Sequence, residues 1–291
     1  MMAGGLLELA RERTVIFDGA MGTMLMASGL GPGEVPEQWN LEKPDLVQTI
    51  HRRYFDAGSD VVHTNTFGAN QIKLGRGVNE IMRLNEAGAR IAKEACPPGR
   101  FVAGDIGPTG KMAAPLGDVT LEEMEEAFRI QAEALLRGGA DLISIETMFS
   151  LDEALAALRG ARRAGAELVI AATTYQVTKR GFFTMMGEDP RQCARAFEEA
   201  GAEVIASNCT LGSRDMIGLA GELRAATEKP VLIQPNAGSP ATRDGKTVYE
   251  QDPADFARDC LEIRNLGVEM IGGCCGTDQR FIQELARALT D

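Results

Sequence analysis

The stretch Gly165-Ala166-Glu167-Leu168-Val169-Ile170-Ala171-Ala172 governs how the rest of the chain is read. Its last five residues are apolar without a break, the pattern of a parallel strand covered on both faces rather than of a half-exposed one. The glycine ahead of them suits the left-handed position that ends a preceding helix. The same entry, glycine then a small residue then an acid, recurs at Gly58-Ser59-Asp60, Gly139-Ala140-Asp141, Gly201-Ala202-Glu203 and Gly267-Val268-Glu269. A helix stop repeated ahead of successive strands implies a repeating strand–helix unit.

Working outward, β-rich runs lie at 14–17, 60–64, 100–104, 141–145, 167–172, 203–206, 230–234 and 268–271. Helical patterns alternate with them over 45–57, 78–95, 120–137, 150–163, 190–200, 213–226, 253–265 and 278–290. Thr120 with Glu123, and Ser150 with Glu153, fit capping boxes, while Asp189-Pro190 and Asp252-Pro253 put an acceptor at the N-cap and proline just inside the helix. Eight strands alternating with eight helices in 291 residues is the size of a (β/α)8 TIM barrel, here a single α/β domain over 1–291. A doubly wound open sheet would carry a phosphate-binding glycine fingerprint after its first strand. Asp18-Gly19-Ala20-Met21-Gly22-Thr23 is only a loose match to one.

Composition narrows the partners. A formal net charge of -12 leaves no basic footprint for nucleic acid or for an anionic membrane. The first residues lack the pattern of a signal peptide, and no apolar run reaches membrane-spanning length, so a cytoplasmic protein is expected. In that reducing compartment six cysteines are metal ligands or buried thiols rather than disulfides.

Chemistry in a TIM barrel gathers at the C-terminal ends of the strands. Those ends carry Asp18, Thr64-Asn65-Thr66, Asp105, Glu146-Thr147, Thr173-Thr174, Asn208-Cys209, Pro235-Asn236 and Cys274-Cys275. None is a lysine, which argues against a Schiff-base aldolase. Adjacent cysteines between glycines, in Gly272-Gly273-Cys274-Cys275-Gly276-Thr277, are poor core and poor helix. With Cys209 they make a set of three thiolates. Thiolates select zinc or copper(I), and a catalytic zinc takes three protein ligands and keeps its fourth position open. Buried small hydrophobes or a redox pair are the competing readings, and neither explains a vicinal pair flanked by glycines. Cys96, Cys193 and Cys260 lie in or at the ends of helical patterns and are expected to be plain thiols. Asp18 and Glu146 follow apolar runs and face the same mouth, which suits a grip on a substrate ammonium. His63 is first a strand residue hydrogen-bonded to a neighbour and only secondarily a metal ligand. Methionines cluster at Met21, Met24 and Met26, and at Met185 and Met186, as gap-fillers or as a soft docking rim.

These residues carry a resemblance. Asp18-Gly19-Ala20-Met21-Gly22-Thr23, Thr64-Asn65-Thr66-Phe67, Ile145-Glu146-Thr147, Asn208-Cys209, Pro235-Asn236-Ala237-Gly238 and the Gly-Gly-Cys-Cys-Gly run together resemble the homocysteine S-methyltransferase family, nearest the homocysteine-binding module at the N-terminal end of cobalamin-dependent methionine synthase. The resemblance implies a zinc barrel that activates homocysteine for methylation. By it, Cys209, Cys274 and Cys275 are the zinc ligands and Asp18 and Glu146 hold the amino group. Amides around Gly19, Ala20, Met21 and Gly22 face the carboxylate, Asn65 joins the substrate contacts, and Asn236 lies beside the metal. His63 ahead of Thr64 and Ser207 ahead of Asn208 depart from the family pattern.

The chemistry so implied is methyl transfer to a homocysteine thiolate, giving methionine, with zinc lowering the thiol pKa so that no protein base is required. Nothing in the chain corresponds to a folate-binding barrel or a cobalamin domain, so methylcobalamin is expected in trans, on a separate corrinoid protein. S-methylmethionine or betaine is the alternative donor. An aromatic cage for such a cation is poorly supplied, with Trp39 and Tyr175 on loops after the first and fifth strands, Tyr54 in a helix and Tyr249 before the seventh helix. A non-enzymatic zinc-binding module is the remaining alternative, and it would normally close with a fourth Cys or His.

Overall fold

The apolar runs pair side by side into one parallel sheet in the computed structural model, which describes residues 4–243 and 246–290. Its strands are β1 (Val15–Ile16), β2 (Val61–His63), β3 (Phe101–Ile106), β4 (Leu142–Met148), β5 (Val169–Thr173), β6 (Val204–Gly212), β7 (Val231–Asn236) and β8 (Met270–Ile271). They follow the order β1-β8-β7-β6-β5-β4-β3-β2, and a parallel bridge from Phe17 to Val61 joins the two ends of that series. The sheet is therefore a barrel. The outer ring is α1 (Pro44–Asp56), α2 (Val78–Ala95), α3 (Leu121–Arg137), α4 (Leu151–Arg163), α5 (Pro190–Glu199), α6 (Ser213–Ala226), α7 (Pro253–Asn265) and α8 (Gln279–Thr290), each within one residue of the bounds expected from periodicity. Among the described residues no helix is long and apolar enough to cross a membrane.

Alternation along the strands sorts the core into two parts. Val15, Phe17, Val61, Phe101, Ala103, Leu142, Ile170, Val204, Leu232 and Met270 form an inner cluster, whereas Ile16, Val62, Val102, Ile143, Val169, Ile205, Ile233 and Ile271 belong to the cluster under the helices. The inner cluster has a floor that local patterning did not announce. A helix over Gly4–Glu12 inserts Leu6 and Ala10 into it.

The repeated turn has two separate jobs. All five glycines take positive φ: 114° at Gly58, 102° at Gly139, 94° at Gly165, 90° at Gly201 and 91° at Gly267. The acids close the bottom of the sheet. Asp60, Asp141, Glu203 and Glu269 each accept the N–H of a residue in the preceding strand, from Ile16, Val102, Val169 and Val231 at 3.0, 2.9, 2.8 and 2.9 Å. Each also pairs with a base: Asp60 with Arg13 and Arg100, Asp141 with Lys93, Glu203 with Arg162 and Glu269 with Arg224. Backbone donors at the starts of β1, β3, β5 and β7 thus have acceptors at the barrel's edge.

Three of the four expected helix caps form, at Thr120, Asp189 and Asp252. Ser150 makes no side-chain cap, because Glu153 is buried and accepts instead from the backbone N–H and hydroxyl of Thr109, at 2.7 and 2.6 Å. Trp39 and Tyr175, placed on loops by chain order, are both in the core. Apolar bulk prevails over loop position there.

His51, in α1, is fully buried with neither ring nitrogen hydrogen-bonded. Burial, and secondarily the charge of His63, pushes its pKa down to about 3. The unfolded chain binds a proton near pH 6.5 that the folded chain refuses until near pH 3, so the stability tied to His51 is complete above pH 6.5 and is lost as the pH falls through that window. The loss runs at about 1.4 kcal/mol per pH unit. Urea unfolding at pH 7 and pH 5 should show about 2 kcal/mol of acid destabilisation from this residue, absent in His51→Leu; identical pH dependence in the two proteins would remove His51 as its source.

Candidate active site

At the opposite, C-terminal edge of the barrel, two strands break register. Between Ile145 and Met148, β4 uses three steps where β5 uses two, from Ala171 to Thr173. Between Asn208 and Gly212, β6 uses four steps where β7 uses two, from Gln234 to Asn236. Such bulges re-aim side chains, and here they carry Glu146, Thr147 and Cys209. Thr147, Cys209 and Thr210 sit at φ of 58°, 60° and 66°, the left-handed region that non-glycine residues rarely occupy. Asn208 ties the two bulges together. Its carbonyl accepts the Thr147 N–H at 2.7 Å, and its amide donates to Glu146 Oε2 at 2.9 Å and to Thr147 Oγ1 at 2.8 Å. The same amide lies 3.7 Å from Cys274 Sγ.

The bulge in β6 turns Cys209 toward the end of β8. The sulfurs of Cys209, Cys274 and Cys275 all lie within 4.8 Å of one another, with Cys209 to Cys275 at 3.7 Å. Sulfurs held about 2.3 Å from a tetrahedral zinc stand about 3.8 Å apart, so the donor set fits that ion. Among the described residues no further Cys, His, Asp or Glu joins the group. Backbone contacts hold the pair in place: Cys274 N–H donates to Pro235 O, and Cys275 O accepts from Ala237 N–H. The flanking glycines are steric requirements. A Cβ on Gly273 would lie 2.4 Å from Thr277 Oγ1, and Gly276, at φ of 84°, would meet Tyr249 at 2.3 Å. Tyr249 therefore packs against the cysteine loop, a neighbour that no local pattern pointed to. Hydrogen bonds from Cys209 and then Cys274 hold the Cys275 thiol well below its ordinary value, while Cys274 is driven well above by its hydrogen bonds with Cys209 and Cys275 and by burial. Only a cation would hold all three sulfurs as thiolates in such contact.

Beneath the sulfurs, on the inward face, lie three acids and a histidine. The His63 N–H donates to Asp18 Oδ2 at 2.9 Å, its Nδ1 is 2.7 Å from Asp18 Oδ1, and its Nε2 is 3.1 Å from Ser144 Oγ. Burial opposes a charge on this imidazole, but the charge and hydrogen bond of Asp18 outweigh it, with Glu146 and Asp105 adding, and raise its pKa to about 9. His63 is a neighbour-bonded strand residue, as its position suggested, and no part of the cysteine group. Glu146 is pushed up to about 7 by burial first, then by the charges of Asp18 and Cys275 against the opposing charge of His63. The Asp105 carboxyl is raised well above the usual range by burial and by the charge of Glu146.

Other expected contacts are distributed unevenly. Ala20 N–H is taken by Thr277, whose oxygens are 3.0 and 3.3 Å away, and Gly19 has no room for a Cβ beside the same threonine. The helix Met21–Ala27 that follows has no side-chain cap, so its first amides are served by no capping group. Asn65 commits both amide hydrogens to Pro36 O and Asn40 Oδ1, at 2.8 and 2.9 Å. Asn236 is buried with its Oδ1 unpartnered. Cys193 and Cys260 are buried and Cys96 is partly buried, all outside the cluster, as their helical positions implied.

Residues 15–289 match the homocysteine S-methyltransferase family. The chain belongs to that family. Methionine synthases of Mycobacterium leprae (strain TN) and Mycobacterium tuberculosis (strain ATCC 25618 / H37Rv) are each 34% identical to it over 98% of its length. The chain spans 25% of those proteins. Among solved structures, the metallated form of the homocysteine methyltransferase MmuM from Escherichia coli matches with a TM-score of 0.78 at 21% identity, covering 94% of this chain and 96% of that one. That likeness is one of fold.

The Asn208 tie gives a direct test within this family member. Asn208→Ala leaves the buried Thr147 N–H without an acceptor and frees both bulges, so chemical denaturation should show a loss of about 1–3 kcal/mol. A loss indistinguishable from zero would mean that the bulges hold their shape without it.

Proposed function

We propose that the whole chain, 1–291, acts as one zinc-dependent homocysteine S-methyltransferase barrel, with methylcobalamin carried by a separate corrinoid protein as methyl donor. The observation that carries this reading is the convergence of exactly the soft donors of Cys209, Cys274 and Cys275 with no fourth protein ligand among the described residues. A structural site would be closed. Zinc held there supplies one piece of chemistry, lowering the pKa of a thiol at its open position so that homocysteine reacts as a thiolate at neutral pH.

The chain's own residues do the rest. Homocysteine adds an ammonium and a carboxylate to its thiol, and the mouth offers a complement to each. Asp18 and Glu146 face the ammonium, with Glu146 aimed by Asn208. The turn Gly19, Ala20, Met21 and Gly22 brings the uncapped helix start to the carboxylate, where amides and helix dipole both favour an anion. Asn236, with its free Oδ1, and Tyr249 flank the cysteines. The six free thiols suit the cytoplasm.

The choice of donor rests on the rim. Met112, Leu116, Phe149, Met185 and Met186 are exposed around a cleft of about 290 Å³ between the loops that follow β3, β4 and β5. Such a soft apolar rim suits a large corrinoid on a partner protein. A small sulfonium or quaternary ammonium needs an aromatic cage, and Trp39, Tyr54 and Tyr175 are all buried away from solvent, leaving Tyr249 beside the sulfurs.

Two outcomes follow. Zinc should bind at about one ion per chain, and each of Cys209→Ala, Cys274→Ala and Cys275→Ala should lower zinc content by elemental analysis; undiminished zinc in all three would sink the assignment. With homocysteine fixed, methionine should form from free or protein-bound methylcobalamin and much more slowly from betaine or S-methylmethionine. Efficient turnover with either small donor and none with methylcobalamin would overturn the corrinoid reading while leaving the thiol chemistry intact.

A further inference from the structure

We infer that Asp105 is a third carboxylate of the amino-acid pocket, placed to accept a hydrogen bond from the ammonium group of the thiol substrate. The assignment rests on the functional reading above and adds a residue to it. Asp105 continues the inward alternation of β3 after Phe101 and Ala103, both members of the inner cluster. It pairs in register with Ser144 on β4, two residues before Glu146 on the same strand. Its side chain is 4% exposed, and its Oδ1 has no hydrogen-bond partner.

The backbone around it is fully committed. Asp105 N–H donates to Thr64 Oγ1 at 2.9 Å, and its carbonyl accepts from Thr66 Oγ1 at 2.8 Å and from Gln131 Nε2 at 3.4 Å. The strand end is therefore rigid, and the carboxylate cannot be relieved by a local shift of the chain. A buried carboxyl oxygen with no partner is a liability in the free protein. It persists where a ligand completes it.

The resident cation does not. His63 is engaged by Asp18 through its backbone N–H and Nδ1 and by Ser144 through Nε2, so both ring nitrogens are occupied. One imidazole thus stands among Asp18, Asp105 and Glu146, and all three carboxyls can be charged together only when a second positive group joins them. An α-ammonium has three hydrogens to distribute. Glu146 has Oε2 tied to Asn208, and Asp105 Oδ1 is wholly free. Burial and the charge of Glu146 raise the carboxyl pKa of Asp105 well above the usual range, so the group holds its proton in the free protein and gives it up when a cation arrives beside it. Selection for an amino acid over a simple thiol would then reside in this acid layer, below the metal ligands that bind any thiol.

The test compares two thiols on the zinc-loaded protein by calorimetry: L-homocysteine, and 4-sulfanylbutanoate, which lacks the amino group. Asp105→Asn should weaken homocysteine at least tenfold and leave 4-sulfanylbutanoate unchanged, with zinc content intact. The metal-free variant should also lose less stability than the unaltered protein as the pH is raised, because it has no buried carboxyl that must either keep its proton or ionise unpaired. Asp105→Ser, smaller and neutral, should repeat the loss should the asparagine variant fail to accumulate. A variant that melts lower and weakens both thiols equally would mark Asp105 as structural, and equal affinity of variant and unaltered protein for homocysteine would remove it from the pocket; either overturns the inference. If the unaltered protein takes up neither thiol, the functional reading fails first and this assignment with it.

Discussion

Closure of the sheet is the constraint from which the site follows. Two-residue strands at each end of the chain, Val15–Ile16 and Met270–Ile271, pair with each other, and Phe17 bridges to Val61. Without that seam the series would have two open edges with unpaired backbone groups. With it, Asp18, at the end of β1, and Cys274, just past β8, become neighbours across 256 residues of chain, as the Gly273 N–H to Asp18 O bond of 2.9 Å records. Every other strand then delivers its C-terminal end to the same opening. The inward alternation that fills the lower barrel with apolar side chains continues upward into His63, Asp105, Ser144, Glu146 and Asn208.

The two edges of the barrel are finished by opposite means. At the bottom, acids take up strand N–H groups and are themselves neutralised by Arg13, Lys93, Arg162 and Arg224. Geometry there is relaxed, and among the described residues those in the left-handed region at that edge are glycines. At the top, regular pairing is given up: β4 and β6 bulge, three non-glycine residues take positive φ, and buried oxygens on Asp105 and Asn236 lack partners. Stability accumulates at one edge and is yielded at the other, which is the edge that must meet a ligand. Asn208 limits the loss by joining the two bulges through four contacts that include Glu146 and Cys274.

Electrostatics divides the mouth into two layers. The cysteine layer is anionic once a cation is present and is poor in charge without one, since Cys275 alone ionises readily. The layer below holds three carboxyls around one imidazole, and burial raises Asp105 and Glu146. A substrate with a soft nucleophile at one end and a cation at the other matches that order. The bonds of His63 to Asp18 explain what it does: it holds that acid in place and brings a positive charge into an otherwise acidic floor.

The order of strands and helices, the five glycine-acid turns and the three cysteines were legible in the sequence, because each is a local signal. Periodicity reports which face is covered, a glycine before an acid reports a helix stop, and cysteines between glycines have few uses other than metal. What only the tertiary structure decided involves partners far apart in the chain. The Gly4–Glu12 helix became the barrel floor because its Leu6 and Ala10 face an inner cluster that no local pattern reveals. Glu153 left Ser150 for Thr109, 44 residues away, since a buried carboxylate takes the donors that the fold brings to it. Trp39 and Tyr175 left the rim for the core. The bulges at Thr147 and Cys209 exist only in the register between neighbouring strands, and register belongs to the assembled sheet rather than to any one stretch of chain.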